Sequence, residues 1–176
     1  MVVSGDTIHS PATGETFTFL QTAAKTKGRL LQMEMCVSPG GGAKAVPIHI
    51  HPKHEERFFI HAGRIAFLLD GCTRIYRPGE TVIASPGTPH TWRNAGEDEL
   101  RFIVEIEPAG HFERLFESMC NLSSAGKMSK SGRVNPLMLA IALNKYPDHM
   151  YVAGLPVRVA KTFVCSDGCS WAAAHE

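Results

Sequence analysis

The chain has 176 residues, enough for one domain with a real core, or for one domain and an appendage. Lys and Arg number 18 against 17 Asp and Glu, and the resulting net charge of +1 removes any electrostatic case for nucleic acid or an anionic membrane as partner. With 44% hydrophobic and 20% charged residues, the composition is that of an ordinary globular protein and excludes the disordered, collagenous and disulfide-scaffold classes.

No apolar run approaches the roughly 18 to 20 residues that cross a bilayer, and the start, Met1-Val-Val-Ser-Gly-Asp, lacks a basic segment followed by an apolar one. A cytoplasmic protein is expected. Five cysteines (Cys36, Cys72, Cys120, Cys165, Cys169) are an odd number scattered over a chain that needs no staples, which favours reduced thiols. Cys165 and Cys169, the close pair, lack zinc-type spacing and read as tail thiols.

Residues 1–110 hold 12 of the 16 Gly and 8 of the 11 Pro, placed as punctuation between short apolar runs. That is the pattern of many short strands in a sandwich or barrel. In chain order the predicted strands are Phe17–Leu20, Leu30–Val37, Phe58–Ile60, Ile65–Leu69, Thr81–Ile83 and Leu100–Ile106, all rich in β-branched and aromatic residues. Asp70-Gly71 between two of them predicts a tight hairpin, since both central residues of a type I′ turn need positive φ. After Pro108 the period changes: Phe112, Leu115, Phe116 and Met119 form one stripe of a helix starting near His111. Ser123–Arg133 has one large apolar residue in eleven and reads as a mobile loop. Asn135-Pro136 then predicts the start of a second helix over Leu137–Tyr146, stopped by Pro147. The expected fold is all-β over residues 1–110, with a helical C-terminal tail over 111–176 packed on it.

The chemistry concentrates in two segments. On a strand, His49 and His51 point to one face, so two imidazoles converge. Glu56 opens the next strand and shares its inward parity with Phe58 and Ile60. Glu55 reads as solvated, and His54, in the turn, as a rim residue. Some forty residues on, a second strand delivers His90. Three imidazoles and a carboxylate suit Fe(II), Mn(II), Ni(II), Co(II) or Zn(II) and include no soft sulfur. Buried together without a cation they would leave polar groups unpaired. His9, His111, His149 and His175, each alone, read as packing residues. Trp92, two residues from His90, shares its direction, and with Phe58, Phe67 and Phe102 it would line an apolar pocket around the metal. A filled barrel core would look the same in sequence. Gly40-Gly-Gly-Ala-Lys44 lacks the spacing of a phosphate loop.

These residues resemble the cupin family. Its first motif, G-x5-H-x-H-x3-4-E-x6-G, is matched by His49-x-His51-x4-Glu56-x6-Gly63, with Gly42 one residue too far upstream. Its second, G-x5-P-x-G-x2-H-x3-N, is matched by Gly79, Gly87, His90 and Asn94, with Ser85 in place of the first proline. The resemblance covers about residues 30 to 115 and implies a jelly-roll β-barrel with one divalent transition metal held by His49, His51, Glu56 and His90. The full ligand set is similar to that of quercetin 2,3-dioxygenase-like cupins. It implies a metal-dependent dioxygenase acting on a small enol, phenol or diketone, with Glu56 as both ligand and general base. The same scaffold hosts isomerases, lyases and non-catalytic binding or sensor modules, and these stay open. Since cupin barrels commonly pair, a homodimer is expected, with a small-molecule substrate, no nucleic acid and no membrane as partner.

Overall fold

The computed structural model describes residues 1–42, 47–129 and 148–153. Alternation sets the long strands. In β3 (Leu31–Val37), Leu31, Met33, Met35 and Val37 are buried while Gln32, Glu34 and Cys36 are only partly covered. Leu100, Phe102, Val104 and Ile106 repeat this in β10 (Leu100–Glu107), as do Glu56, Phe58 and Ile60 in β5 (Glu55–Ala62). With β1 (Thr7–Ser10), β2 (Glu15–Gln21) and β8 (Thr81–Ala84) they form a six-stranded antiparallel sheet ordered β1-β2-β3-β10-β5-β8. A five-stranded sheet takes β4 (His49–Ile50), β6 (Ile65–Leu69), β7 (Cys72–Tyr76), β9 (His90–Asn94) and β11 (Tyr151–Val152) in the order β11-β4-β9-β6-β7. Ile65 and Phe67 of the second sheet join Phe58 and Phe102 of the first in one buried cluster. The fold is all-β, as the strand pattern predicts, and of the jelly-roll class that the resemblance implies.

Two turns show how local sequence fixes the path. Asp70 and Gly71 have φ of 47° and 80°, the double left-handed turn that joins β6 to β7 with Leu69 opposite Cys72. Gly63, at φ 76° between β5 and β6, also sits where a Cβ would lie 2.7 Å from the Glu99 carbonyl oxygen, so both conformation and space require glycine.

Past a one-turn helix, α1 (Ala23–Thr26), the predicted stripe of Phe112, Leu115, Phe116 and Met119 lies in α2 (Phe112–Ser124), packed against the barrel core. The expected loop from Ser123 is corrected at its start. Ser123 and Ser124 are helical, because Ser123 Oγ accepts hydrogen bonds from the Ala12 N–H at 2.9 Å and Ser10 Oγ at 3.0 Å. Residues 130–133 of that loop, the helix expected over Leu137–Tyr146, and Cys165 and Cys169 lie outside the described residues. The tail is not purely helical, since β11 pairs with β4, Val152 opposite His49. Among the described residues no helix is long and apolar enough to cross a membrane, and Cys36, Cys72 and Cys120 are free thiols.

Candidate metal centre

His49, His51, Glu56 and His90 converge from both sheets. His49 and His90 stand directly opposite each other in the β4–β9 pair, Glu56 comes from β5 across the barrel, and His51 follows β4. All four are buried, and one ligand atom from each lies within 4.8 Å of all the others. The second motif also positions the first: the Gly87 N–H donates to the His51 carbonyl at 2.8 Å. Asn94, at its end, is a clamp. Its Nδ2 donates to the carbonyls of Val37 (3.1 Å), Ser38 (3.2 Å) and Asp98 (2.9 Å), and its Oδ1 accepts from the Gly96 N–H at 2.8 Å.

Backbone carbonyls fix the imidazole tautomers. A carbonyl only accepts, so His49 Nδ1–H donates to Pro47 O (3.0 Å), His90 Nδ1–H to Thr88 O (2.9 Å) and His51 Nδ1–H to His149 O. Each ring thereby presents Nε2 to the centre. His90 Nε2 lies 2.9 Å and His51 Nε2 3.5 Å from Glu56 Oε2. In the neutral rings those atoms are all acceptors facing a carboxylate, an arrangement that a cation or an added proton must bridge.

The electrostatics agree. Burial first, then the neighbouring His51 and His90, holds His49 down at about 3, the neutral form that can bind a metal. Burial likewise lowers His51. Burial would raise Glu56, but the charges of the surrounding histidines and the hydrogen bond from His90 outweigh it and hold the carboxyl at about 2. Burial would lower His90, yet its hydrogen bond and attraction to Glu56 raise it, so the proton goes there when no metal is bound. The residues fit one divalent ion with three nitrogen ligands and one oxygen ligand.

The cluster opens into an apolar cavity of about 110 Å³ between the barrel and α2. Of the aromatic residues predicted to line it, Phe58 and Trp92 do so. Phe67 and Phe102 are buried behind them: Phe67 stacks on His90 at 5.9 Å and Phe102 packs on Trp92 at 5.1 Å. Sequence reasoning did not find Phe17, Met35, Phe112, Phe116 or Glu15, which also face the cavity. The helical stripe was a usable signal for Phe112 and Phe116, whereas a Glu opening a strand carried none. His54 does not stand at a rim. It is buried, its Nδ1 donates to Pro108 O at 2.7 Å, and its ring meets Phe112 edge-on. Glu55 pairs with Arg57 at 2.7 Å on the outer face.

Comparison with known proteins supports the architecture. Residues 33–106 match the family model of the cupin domain. No curated protein matches the chain. Among solved structures, a predicted oxalate decarboxylase from Thermotoga maritima is similar at 22% identity and a TM-score of 0.52, over 61% of this chain and 99% of that one. The Cnp3 cupin domain of Schizosaccharomyces pombe is similar at 13% identity and a TM-score of 0.50, over 64% and 74%. At these identities the likeness concerns the fold alone. Family match, two-sheet architecture and the placing of both motifs agree: residues 33–106 form a cupin domain.

Proposed function

We propose that His49, His51, Glu56 and His90 hold one divalent transition metal, Fe, Mn, Ni, Co or Zn, and that the chain is a metal-dependent dioxygenase acting on a small enol, phenol or diketone. The observation that carries this reading is the set of three imidazoles tied through Nδ1 to backbone carbonyls, with every Nε2 turned to one carboxylate inside an apolar cavity. A bound metal supplies Lewis-acid polarisation and, where redox-active, electrons for dioxygen chemistry. Glu56 is the catalytic base of this reading: it is ionised at neutral pH, and since a carboxylate held at about 2 is a weak base, it would take the proton of an enol or phenol hydroxyl that a bound metal makes more acidic. Phe58 and Trp92 wall the reacting group from water, with Phe67 and Phe102 holding them in place. An engineered apolar cavity of about 150 Å³ admits benzene, so about 110 Å³ favours slim substrates over three-ring flavonols.

Elemental analysis of the purified protein, followed by oxygen-uptake assays with catechols, diketones and flavonols, tests the reading. Close to one metal per chain, lost in His51→Ala, with oxygen consumption on a small substrate is the expected result. A chain that takes up no first-row metal overturns it. The homodimer is part of the same proposal: edge strands β7 and β8 expose Ile75 and Ile83, and pairing would cover them. A monomeric mass by light scattering at micromolar concentration would contradict it.

A further inference from the structure

The cavity extends past the metal cluster along α2. At the start of the helix Phe112 meets the His51 ring at 5.1 Å, further on Phe116 meets Phe17 at 5.1 Å, and beyond Cys120 the helix reaches Ser10 through Ser123. Phe112 and Cys120 both line the space, and the helix between them rises about 12 Å. Strand register gives the same direction. Glu56 stands opposite Ile106 and Ile106 opposite Leu31, whereas Glu15 stands opposite Val37 at the other end of β3. A volume of about 110 Å³ spread over that length is a slim slot. Its walls between the two ends are apolar: Phe17, Met35, Val104, Leu115, Phe116 and Met119.

Glu15 marks the far end. It opens β2 on the parity of Phe17 and Phe19, and although half-buried as a residue it lines the cavity. Its carboxyl hydrogen-bonds the Thr13 side chain, Thr13 Oγ1 donates to Ser10 Oγ at 2.6 Å, and Ser10 Oγ donates to Ser123 Oγ at 3.0 Å. Burial pushes this carboxyl up to about 7, against a smaller opposing pull from Thr13. Cys120, facing it from α2, is itself held up at about 12 and neutral, first by burial and then by Glu15. The other titratable groups lining the slot are His49, His51 and Glu56 at the metal end.

We propose that the slot takes an elongated, slim ligand whose head meets the metal cluster, whose apolar middle lies along α2, and whose terminal hydroxyl is hydrogen-bonded by a carboxyl oxygen of Glu15. The head-group assignment rests on the metal reading above. Glu15 is then the specificity-determining residue for length and end group, since a ligand that reaches it without a polar terminus covers its carboxyl and leaves it only the Thr13 bond.

The test uses the full chain loaded with Zn(II) and linear hydroxamates from acetohydroxamate to decanohydroxamate, with their ω-hydroxyl counterparts, titrated by calorimetry. Each added methylene should tighten binding about threefold to fourfold until the slot is filled, after which affinity should fall. At the matched length the ω-hydroxyl should cost the wild type less than about threefold and Glu15→Leu about tenfold or more, because the variant buries that hydroxyl without a partner. Glu15→Gln keeps an accepting oxygen and should follow the wild type, while acetohydroxamate should bind all three alike. An equal end-group cost in wild type and Glu15→Leu overturns the assignment of Glu15. Affinity that does not rise beyond acetohydroxamate overturns the slot. Failure of acetohydroxamate to bind at all is a failure of the metal reading instead, and infrared spectroscopy of the metal-free protein then decides. There, 1-octanol should shift a protonated-carboxyl band that Glu15→Gln lacks, and an unshifted band overturns the inference.

Discussion

In the six-stranded sheet, β3, β5 and β10 are seven or eight residues long and send rows of Leu, Met, Phe, Val and Ile inward, broken only by Glu56 of β5. In the five-stranded sheet, β4 and β11 are two residues long and β7 has no buried residue. The first sheet is held by apolar burial. The second adds Ile65, Ala66 and Phe67 of β6 to that core and around β4 and β9 relies on polar ties: the imidazole–carbonyl bonds of His49, His51 and His90, and the four bonds of Asn94. Two of the four candidate ligands, His49 and His90, stand on the weakly anchored sheet and Glu56 on the strongly anchored one. A metal at the cluster would rivet the two, and the site gains stability where burial supplies least.

The largest effect should come from the strong sheet. Phe102 is fully buried against Phe58 and Trp92, and Phe102→Ala should lower stability by about 3 to 5 kcal/mol in denaturant unfolding. A loss below about 1 kcal/mol would break the view that this core carries the fold. Removing the metal with a chelator comes next, costing about 2.7 kcal/mol where free metal had stood at 100 times its dissociation constant. Hydrogen exchange should then quicken in β4 and β9 and stay slow in β3 and β10, and uniform quickening would erase the contrast.

A third effect runs in the stabilising direction. The fold raises the Glu15 carboxyl from 4.5 to about 7, so between those values the folded chain holds a proton that the unfolded chain has released. Stability should therefore fall as pH rises from about 4.5 through about 7 and be level above. Glu15→Gln removes that penalty and should gain on the order of 2 kcal/mol at pH 8, with little gain at pH 4, in paired unfolding curves. The smallest effect belongs to the exposed edge: Ile75→Lys on β7 should change monomer stability by no more than about 0.5 kcal/mol. The same substitution reports on pairing, because a dimer joined through β7 would weaken with it.

The ligand cluster was legible because strand parity is strict: His49-x-His51 and Glu56-x-Phe58-x-Ile60 can face inward together in only one register. The strong sheet was legible for the same reason. Glu15 was not, because a charged residue at a strand's start resembles solvent-facing sequence until its inward partners Phe17 and Val37 are known. Ser123 read as loop because its helical state is fixed by bonds to Ser10 and Ala12, more than a hundred residues away in the chain. The burial of His54 depends likewise on Phe112 and Pro108, which no local pattern announces. β11, two residues long, carries no periodicity at all.

The His149 carbonyl that orients His51, and the β11 strand that pairs with His49, have a consequence for the order in which the chain comes off the ribosome. All four candidate ligands are synthesised by residue 90, whereas their C-terminal brace arrives with residues 149–152. The nascent barrel can gather its imidazoles well before it can lock one of them in its tautomer. Full maturation of the site is thereby deferred until residues 149–152 have followed the last of the four ligands.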